Sequence, residues 1–277
     1  MIRLLQIEFI KLWNNRASKI LIISYFILQT FISLIAAIKF DIGPIKFHLA
    51  EMGIFDFPYI WHFNSFIAAF FKLFLAVVIV SMMANEYSNK TIKQNLIDGL
   101  SKWEFVYSKF LTVLTLSLVS TLFLFVISMV LGLSYSSYNE FSIIFSGLEF
   151  VFAYFVKLLG FFSFCLFLGI LVKRSAFALG FLILWAILEQ LIFGLLGWKI
   201  TGWDTALKIK AFLPLEAMQN LIDEPFSRLS AVKNIGNQIG EDFNFDYAVH
   251  WYEILIVLGW TSIFIYLSYA LLKKRDL

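Results

Sequence analysis

Six long apolar segments constrain this sequence more than any other feature. A helix needs about 20 apolar residues, at about 1.5 Å each, to cross the roughly 30 Å hydrocarbon core of a bilayer. Hydrophobic residues make up 61% of the 277 residues and charged residues only 15%, against about a quarter in a soluble domain. The sequence therefore predicts an all-α integral membrane protein with six transmembrane helices, folded as a single transmembrane domain over residues 1–277. The segments are Lys19 to Ile38, Phe63 to Ala84, Phe105 to Leu133, Gly147 to Val172, Ala176 to Trp198 and Trp251 to Leu272.

The lysines and arginines beside these segments predict the orientation, because cytoplasmic flanks of membrane helices are enriched in both. With six spans we expect both termini in the cytoplasm, residues 202–250 outside it, and the protein in the cell inner (plasma) membrane. Four basic clusters then share the cytoplasmic side: Arg3 to Lys19, Lys90 to Lys109, Lys173 with Arg174, and Lys273 to Arg275. Five ring-bearing residues at the outer ends of spans predict interfacial anchors: Trp61, His62, Trp198, Trp203 and Trp251.

Several functional classes have no support in the sequence. The net charge of +3 is small and dispersed, which does not favour nucleic acid as a partner. The single cysteine, Cys165, lies in an apolar run, so neither a disulfide framework nor a cysteine-based zinc site can form within one chain, and we interpret it as a packing residue. There is no G-x-x-x-x-G-K-[ST], H-E-x-x-H or G-x-S-x-G pattern. We therefore expect no catalytic residue, metal or cofactor in this chain.

The first eighteen residues predict an amphipathic helix that lies in the membrane interface. Leu5, Phe9, Leu12 and Trp13 recur at helical spacing, and polar residues occupy the other positions. Such a helix could serve only as an anchor, or it could also brace a cytoplasmic partner. Both interpretations remain open at this point.

The connection between the second and third spans, residues 85–104, carries start and stop signals for a short helix. Ser88 can cap its beginning, and Gly99 can end it in a left-handed turn. Ile92 and Leu96 lie four residues apart and share one face. A short amphipathic helix of this kind can dock in a groove of a partner protein. It could equally contact only its own chain.

A second capping signal follows at once. Ser101 and Glu104 form an S-x-x-E capping box, which predicts that the next helix begins just below the membrane. The two signals together predict a stiff helix-turn-helix that protrudes into the cytoplasm.

The same stretch resembles a motif of ABC-2-type transporter permeases, E-x-x-x-x-T-x-x-x-x-L-x-x-G-x-S-[KR]-x-x-[FY], which follows the second span in that family. The match runs from Glu86 to Phe105. The E-x-x-K pattern from Glu8 to Lys11 and the ending from Lys274 to Leu277 also resemble that family. The order of the spans resembles that family over nearly the whole chain, but the specific part of the likeness is concentrated in about twenty-five residues.

The resemblance implies a set of partners and roles. The connection would be a coupling helix that docks on a separate ABC ATPase subunit, which binds the ATP and Mg. The membrane unit would contain a second permease subunit, identical or different, within the lipid. Re-entrant helices between the fifth and sixth spans would suit the region of Gly194 and Gly197. The residues that would lie at or shape the ATPase contact are Glu86, Thr91, Ile92, Leu96, Gly99, Ser101 and Glu104.

Four polar residues interrupt the apolar spans: Lys72, Lys157, Glu189 and Gln190. Charges at such depth are costly, and they usually face the helix bundle or a water-filled cavity. They are therefore candidates for a translocation path. Alternatively, either lysine could form a neutralising intramembrane pair with Glu189.

The sequence and the resemblance together predict a non-catalytic permease subunit of an ATP-driven transporter, with export favoured because the family consists mostly of exporters. One alternative is the membrane anchor of a non-transporting complex for motility or surface assembly. The other is a membrane-embedded enzyme that uses Lys72, Lys157 and Glu189.

Overall fold

The computed structural model describes residues 2–35, 40–42, 45–47, 53–138, 140–200, 202–229 and 246–275. Most of this part of the chain is helical. The helices are α1 (Ile2–Asn14), α2 (Arg16–Ile35), α3 (Tyr59–Phe70), α4 (Lys72–Ser88), α5 (Thr91–Ile97), α6 (Lys102–Tyr135), α7 (Phe141–Ile144), α8 (Glu149–Val172), α9 (Ser175–Leu195), α10 (Trp203–Lys210), α11 (Pro214–Asn220) and α12 (Trp251–Lys274). A π-helical turn, Leu196–Ile200, extends α9, and a 3-10 turn covers Phe226–Arg228.

The span-length helices confirm the predicted fold class. Within the described residues, five helices are long and apolar enough to cross a membrane, and a bent pair brings the number to six when it is counted as one span. That pair is α3 and α4, which meet at Phe71 at an angle of 45°. The predicted second span is therefore two helices, and Lys72 is the first residue after the bend.

A short antiparallel hairpin, β1 (Phe40–Ile42) and β2 (Ile45–Phe47), lies between the first two spans. Its register pairs Phe40 with Phe47, Asp41 with Lys46, and Ile42 with Ile45. No strand is predicted here from the sequence.

Helix α8 lies at the centre of the bundle and contacts α3, α4, α6, α9 and α12. Two glycines permit close packing, as is common where membrane helices meet. A Cβ atom at Gly160 would lie 2.7 Å from a methyl group of Val257 on α12, and one at Gly169 would lie 2.9 Å from Cβ of Met83 on α4. Cys165, between them, is fully buried, in keeping with a packing role.

The four basic clusters meet at one end of the bundle, here called the basic end. Lys109 reaches α1, and Lys102 donates a hydrogen bond to the carbonyl of Arg275 after α12. Lys173, after α8, lies over the ring of Tyr87 at the end of α4. Helices α10 and α11, with the 3-10 turn, lie toward the opposite end, in the described part of the predicted extracytoplasmic segment 202–250. Residues 230–245 of that segment lie outside the described residues.

Two of the predicted interfacial anchors are wrong. Trp61 and His62 are fully buried. Trp61 Nε1 donates to the carbonyl of Ile144 at 2.7 Å, and His62 Nε2 lies 2.9 Å from the carbonyl of Asp223. A ring at the end of a span can be exposed or buried, and the sequence does not show which. Here the connections after α6 and α11 fold over α3 and bury both side chains. The other three, Trp198, Trp203 and Trp251, are exposed.

Candidate functional site

The connection between α4 and α6 contains the predicted short helix, α5. It ends at a Schellman motif: Gly99 has φ +97°, its N–H donates to the carbonyl of Leu96, and that of Leu100 donates to the carbonyl of Asn95. The start was predicted incorrectly. Ser88 is the last residue of α4, and its hydroxyl donates to the carbonyl of Ala84.

Helix α5 instead begins after Lys90, which adopts the left-handed conformation with φ 57°. The capping box that follows matches the prediction. Ser101 Oγ accepts from the Glu104 N–H at 3.2 Å, and Glu104 Oε2 accepts from the Ser101 N–H at 2.9 Å. The α5 segment is thus held between a left-handed residue at its start and a capped helix at its end.

The two faces of α5 differ sharply in exposure. Ile92 is buried and Leu96 is partly buried, so this predicted apolar face packs on the protein's own bundle. Ile97 is 75% exposed. Lys93, Gln94 and Asp98 are also exposed. The exposed face of α5 is therefore the side opposite to the apolar face formed by Ile92 and Leu96.

A buried ion network ties the base of this segment to two other helices. Lys109 of α6 is completely buried, and its Nζ lies 2.6 Å from Glu8 Oε2 on α1 and 2.5 Å from Glu86 Oε1 on α4. Lys11 lies 2.9 Å from the same Glu86 oxygen, and Thr91, at the start of α5, donates to Oε2 of Glu86. Glu86 is therefore shielded by these partners and does not contribute to the free surface of α5.

This network favours the charged form of Lys11. Burial lowers the pKa of an ammonium, but the hydrogen bonds and negative charges of Glu86 and Glu8 outweigh burial, so the pKa of Lys11 is raised above its ordinary value. The ion network, defined by Glu8, Lys11, Glu86 and Lys109, joins α1, α4 and α6. It places the amphipathic α1 in contact with the base of the α5 segment.

A second tie comes from the end of the chain. The guanidinium of Arg275 donates to the hydroxyl of Tyr87 at 2.7 Å, and to the carbonyls of Ile170 at 2.5 Å and Leu171 at 2.9 Å. These two carbonyls belong to the last turn of α8, where a cation is favourable. Arg275 therefore links α12 to the ends of α4 and α8, beside α5.

The intramembrane polar residues line a cavity of about 560 Å³ between α4, α8, α9 and α11. Lys72, Lys157, Glu189 and Gln190 all contribute to its wall. The apolar part of the wall includes Phe66, Phe70, Leu73, Phe161 and Leu182. The four residues that the sequence singled out one by one are thus neighbours in one amphipathic cavity.

The structure does not pair these lysines with Glu189. Both oxygens of Glu189 accept from backbone N–H groups at the start of α11, those of Leu215 and Glu216, each at 3.1 Å, and Trp185 donates to Oε1 at 2.8 Å. Among the described residues no ion pair joins either lysine to Glu189. Instead Lys157 donates to the carbonyl of Gln219, and Lys72 lies over the ring of Phe161.

Sequence reasoning missed four contributors to the contacts around α5. It included Lys109 only as one of many basic residues, although a lysine inside a predicted span indicates a buried partner. It treated Glu8, Lys11 and Arg275 as family-like patterns without assigning contacts. No sequence signal indicated which face of α5 is exposed, because Ile92, Leu96 and Ile97 are all apolar.

The span-length helices, with an amphipathic cavity between them, are typical of a multi-pass membrane protein. Comparison with family models is consistent with this class. The chain belongs to the ABC-2 transporter family: the model described as "ABC-2 family transporter protein" matches residues 13–277. A search of curated protein sequences finds no significant match. Permeases of this family are transmembrane transport components, not catalysts themselves, and family membership implies partnership with an ABC ATPase subunit.

Proposed function

We propose that this chain is the permease subunit of an ATP-driven exporter, working as a dimer of permeases with two ATPase subunits that bind ATP and Mg. The observation that carries the proposal is α5, a rigid helix with an exposed face centred on Ile97 and a base fixed by the ion network. In this proposal the basic end, with both termini, faces the cytoplasm, because basic residues are enriched there.

Coupling follows from the connections of α5. A push on α5 by closing ATPase subunits acts directly on Glu86 and on the capped start of α6. Because Lys109 joins Glu86 to α6 and Glu8 to α1, these three helices are expected to shift as one body. Packed elements move in discrete rigid-body steps, and the partner's different contacts in its two states would bias that step.

The cavity between α4, α8, α9 and α11 supports a role in the translocation path. Lys72 stands at the bend between α3 and α4, so a tilt of α4 would displace a wall of the cavity. In our proposal α10 and α11 form the re-entrant part of the extracytoplasmic side, with Gly197 allowing the close return of Trp203. A Cβ atom at Gly197 would lie 2.4 Å from that ring.

The test is co-purification of the tagged permease with a co-expressed candidate ATPase subunit, for which the product of a neighbouring gene is the first choice. Ile97→Asp should reduce the ATPase recovered by about tenfold or more, as expected for an apolar residue at the centre of an interface. Ile200→Asp is the matched control, because Ile200 is similarly exposed but lies beyond α9 at the opposite end. Equal recovery with both variants would contradict docking through α5.

Transport is tested separately in vesicles that contain the assembled complex. Nucleotide-dependent movement of a cargo across the membrane supports the exporter, whereas ATPase docking without any transported cargo supports a mechanical or surface-assembly complex. Glu86→Arg is a poor choice for the docking test, because Glu86 is buried in the ion network and its replacement would disturb the fold.

A further inference from the structure

Helices α10 and α11 and the connection between them, residues 203–220, form a hairpin that folds back along α9. Both ends of α10 lie against one ring of α9. The ring centres of Trp203 and Phe193 are 5.7 Å apart, and Lys210 Nζ lies 4.8 Å from the centre of the Phe193 ring. Helix α11 then begins beside Glu189, one turn farther from the outer end of α9 than Phe193. The hairpin therefore returns to the depth of the intramembrane polar residues.

The start of α11 is satisfied by Glu189 of α9. The first N–H groups of a helix have no partner within the helix, and such groups are costly inside a membrane unless the protein supplies one. The two carboxylate oxygens of Glu189 accept from the N–H groups of Leu215 and Glu216, each at 3.1 Å. Trp185 donates to Glu189 Oε1 at 2.8 Å and so orients the carboxylate.

The end of α11 is satisfied by Lys157 of α8. Its buried ammonium donates to the carbonyl of Gln219 at 3.1 Å, and that carbonyl belongs to the last turn of α11. The carboxylate of Asp223, just beyond the helix, attracts the same ammonium. A negative group at the start of a helix and a positive group at its end are both favourable. Glu189 and Lys157 are thus matched to the two ends of α11.

A third span contacts the connection between α10 and α11. Trp260 Nε1, on α12, donates to the carbonyl of Phe212 at 2.9 Å. Helix α11 also packs closely on α8, since a Cβ atom at Gly160 would lie 3.2 Å from Cε of Met218. Side chains of α8, α9 and α12 therefore hold the hairpin at three backbone positions, and a shift of any one of these spans would alter a contact.

Helix α11 is also part of the cavity wall. Leu215, Glu216, Gln219 and Asn220 line the cavity of about 560 Å³ between α4, α8, α9 and α11. The hairpin lies toward the outer end of the bundle, so α11 separates the cavity from that side. Displacement of α11 would remove this wall.

We propose that Glu189, Lys157 and Trp260 are positioning residues that hold α11 over the outer side of the cavity, and that its release from them opens the cavity toward the extracytoplasmic side. The inference rests on the proposed function in one respect, that this opening is a step of export. The three contacts themselves depend only on residues of this chain. The intramembrane charges then act on the hairpin rather than on a cargo.

The experiment measures how fast a charged, membrane-impermeant thiol reagent modifies a cysteine in the cavity wall. The parent variant is Leu182→Cys with Cys165→Ser, as the full-length chain in lipid nanodiscs; Leu182 lines the cavity and does not contact the reagent's aqueous phase directly, since it is buried. Glu189→Gln and Lys157→Met should each raise the rate about tenfold, the usual scale for loss of one charge-assisted hydrogen bond. Trp260→Phe, which removes only the N–H donor, should raise it about fivefold.

Two controls separate positioning from general loosening of the bundle. Lys72→Met removes the other lysine of the cavity, which lies over the Phe161 ring and forms no hydrogen bond to α11 among the described residues, so the rate should not change. A reference cysteine in place of Val113, buried in α6 and outside the cavity wall, should stay unreactive in every variant. Lys157→Arg, which keeps a cationic donor, should return the rate to that of the parent.

The proposal is overturned if none of the three variants raises the rate, or if Lys72→Met raises it equally. An equal rise at the Val113→Cys reference would likewise assign the effect to unfolding. If either charge variant does not fold, Trp260→Phe, which leaves both charges in place, decides the outcome.

Failure of the proposed function would look different, because the labelling needs no ATPase. If no ATPase subunit co-purifies but the three variants raise the rate as expected, the positioning role stands and the transporter assignment falls. If the ATPase docks through α5 but the labelling rates do not respond, the reverse holds.

Discussion

Replacing Lys109 by methionine should destabilise the protein more than any other single lysine substitution at the basic end. Lys109 is completely buried and contacts two buried carboxylates, at 2.6 Å on Glu8 and 2.5 Å on Glu86. Removing one member of a buried ion pair costs about 3–5 kcal/mol, because an uncompensated charge stays behind. Lys11 remains 2.9 Å from Glu86 and 3.3 Å from Glu8, so we expect the lower end of that range, about 3 kcal/mol.

The assay is the free energy of unfolding of the purified chain in mixed micelles, measured by denaturant titration. Lys93→Met is the matched control: Lys93 is exposed on α5, and its replacement should change the free energy by no more than about 0.5 kcal/mol. The double variant Lys109→Met with Glu86→Gln should recover part of the loss, because it removes one of the stranded carboxylates. A loss below about 1 kcal/mol for Lys109→Met, or an equal loss in the control, would refute the reasoning from burial.

Three more predictions concern the backbone and the ends of helices. Gly99→Ala should lower the free energy of unfolding by about 1–2 kcal/mol, because Gly99 has φ +97°, which an alanine adopts only with strain, while no neighbour lies near the added methyl group. Gly180→Ala is the control, since Gly180 lies in a helix with equal space and its replacement should not destabilise the protein. Thermal unfolding compares the two variants. Arg275→Gln should lower stability by about 1–3 kcal/mol and weaken ATPase co-purification, whereas Lys274→Gln, at an exposed neighbour, should do neither. Glu189→Gln should cost about 1–2 kcal/mol in the same unfolding measurement, since one backbone N–H of α11 loses a charged acceptor; unchanged stability would contradict its capping role.

Much of the α5 segment, residues 85–104, could be predicted because its signals are local. The left-handed end at Gly99 and the capping box of Ser101 with Glu104 depend only on neighbouring backbone groups, and both are present. The cap at Ser88 failed because the same hydroxyl has a competing local partner, the carbonyl of Ala84 one turn earlier. A serine at a helix boundary can serve either helix, and the continuation of α4 decided which.

The candidate cavity was predictable as a set of residues but not as an arrangement. Charges in apolar spans stand out in any sequence, so Lys72, Lys157, Glu189 and Gln190 were identified one at a time. Their roles depend on which helices are neighbours. Opposite charge favoured a lysine pair for Glu189, yet backbone N–H groups of α11 are nearer and occupy both of its oxygens.

The sequence by itself determined that the chain crosses a membrane, roughly where its spans lie, and where the short helix α5 ends, because hydrophobic length and capping act over one or a few turns. Only the tertiary structure decided that Lys109 bridges Glu8 and Glu86, residues 101 and 23 positions away, and that Ile97 rather than Ile92 is exposed. These outcomes follow from how α1, α4 and α6 pack, since burial and ion pairing depend on distances in space that sequence spacing does not contain.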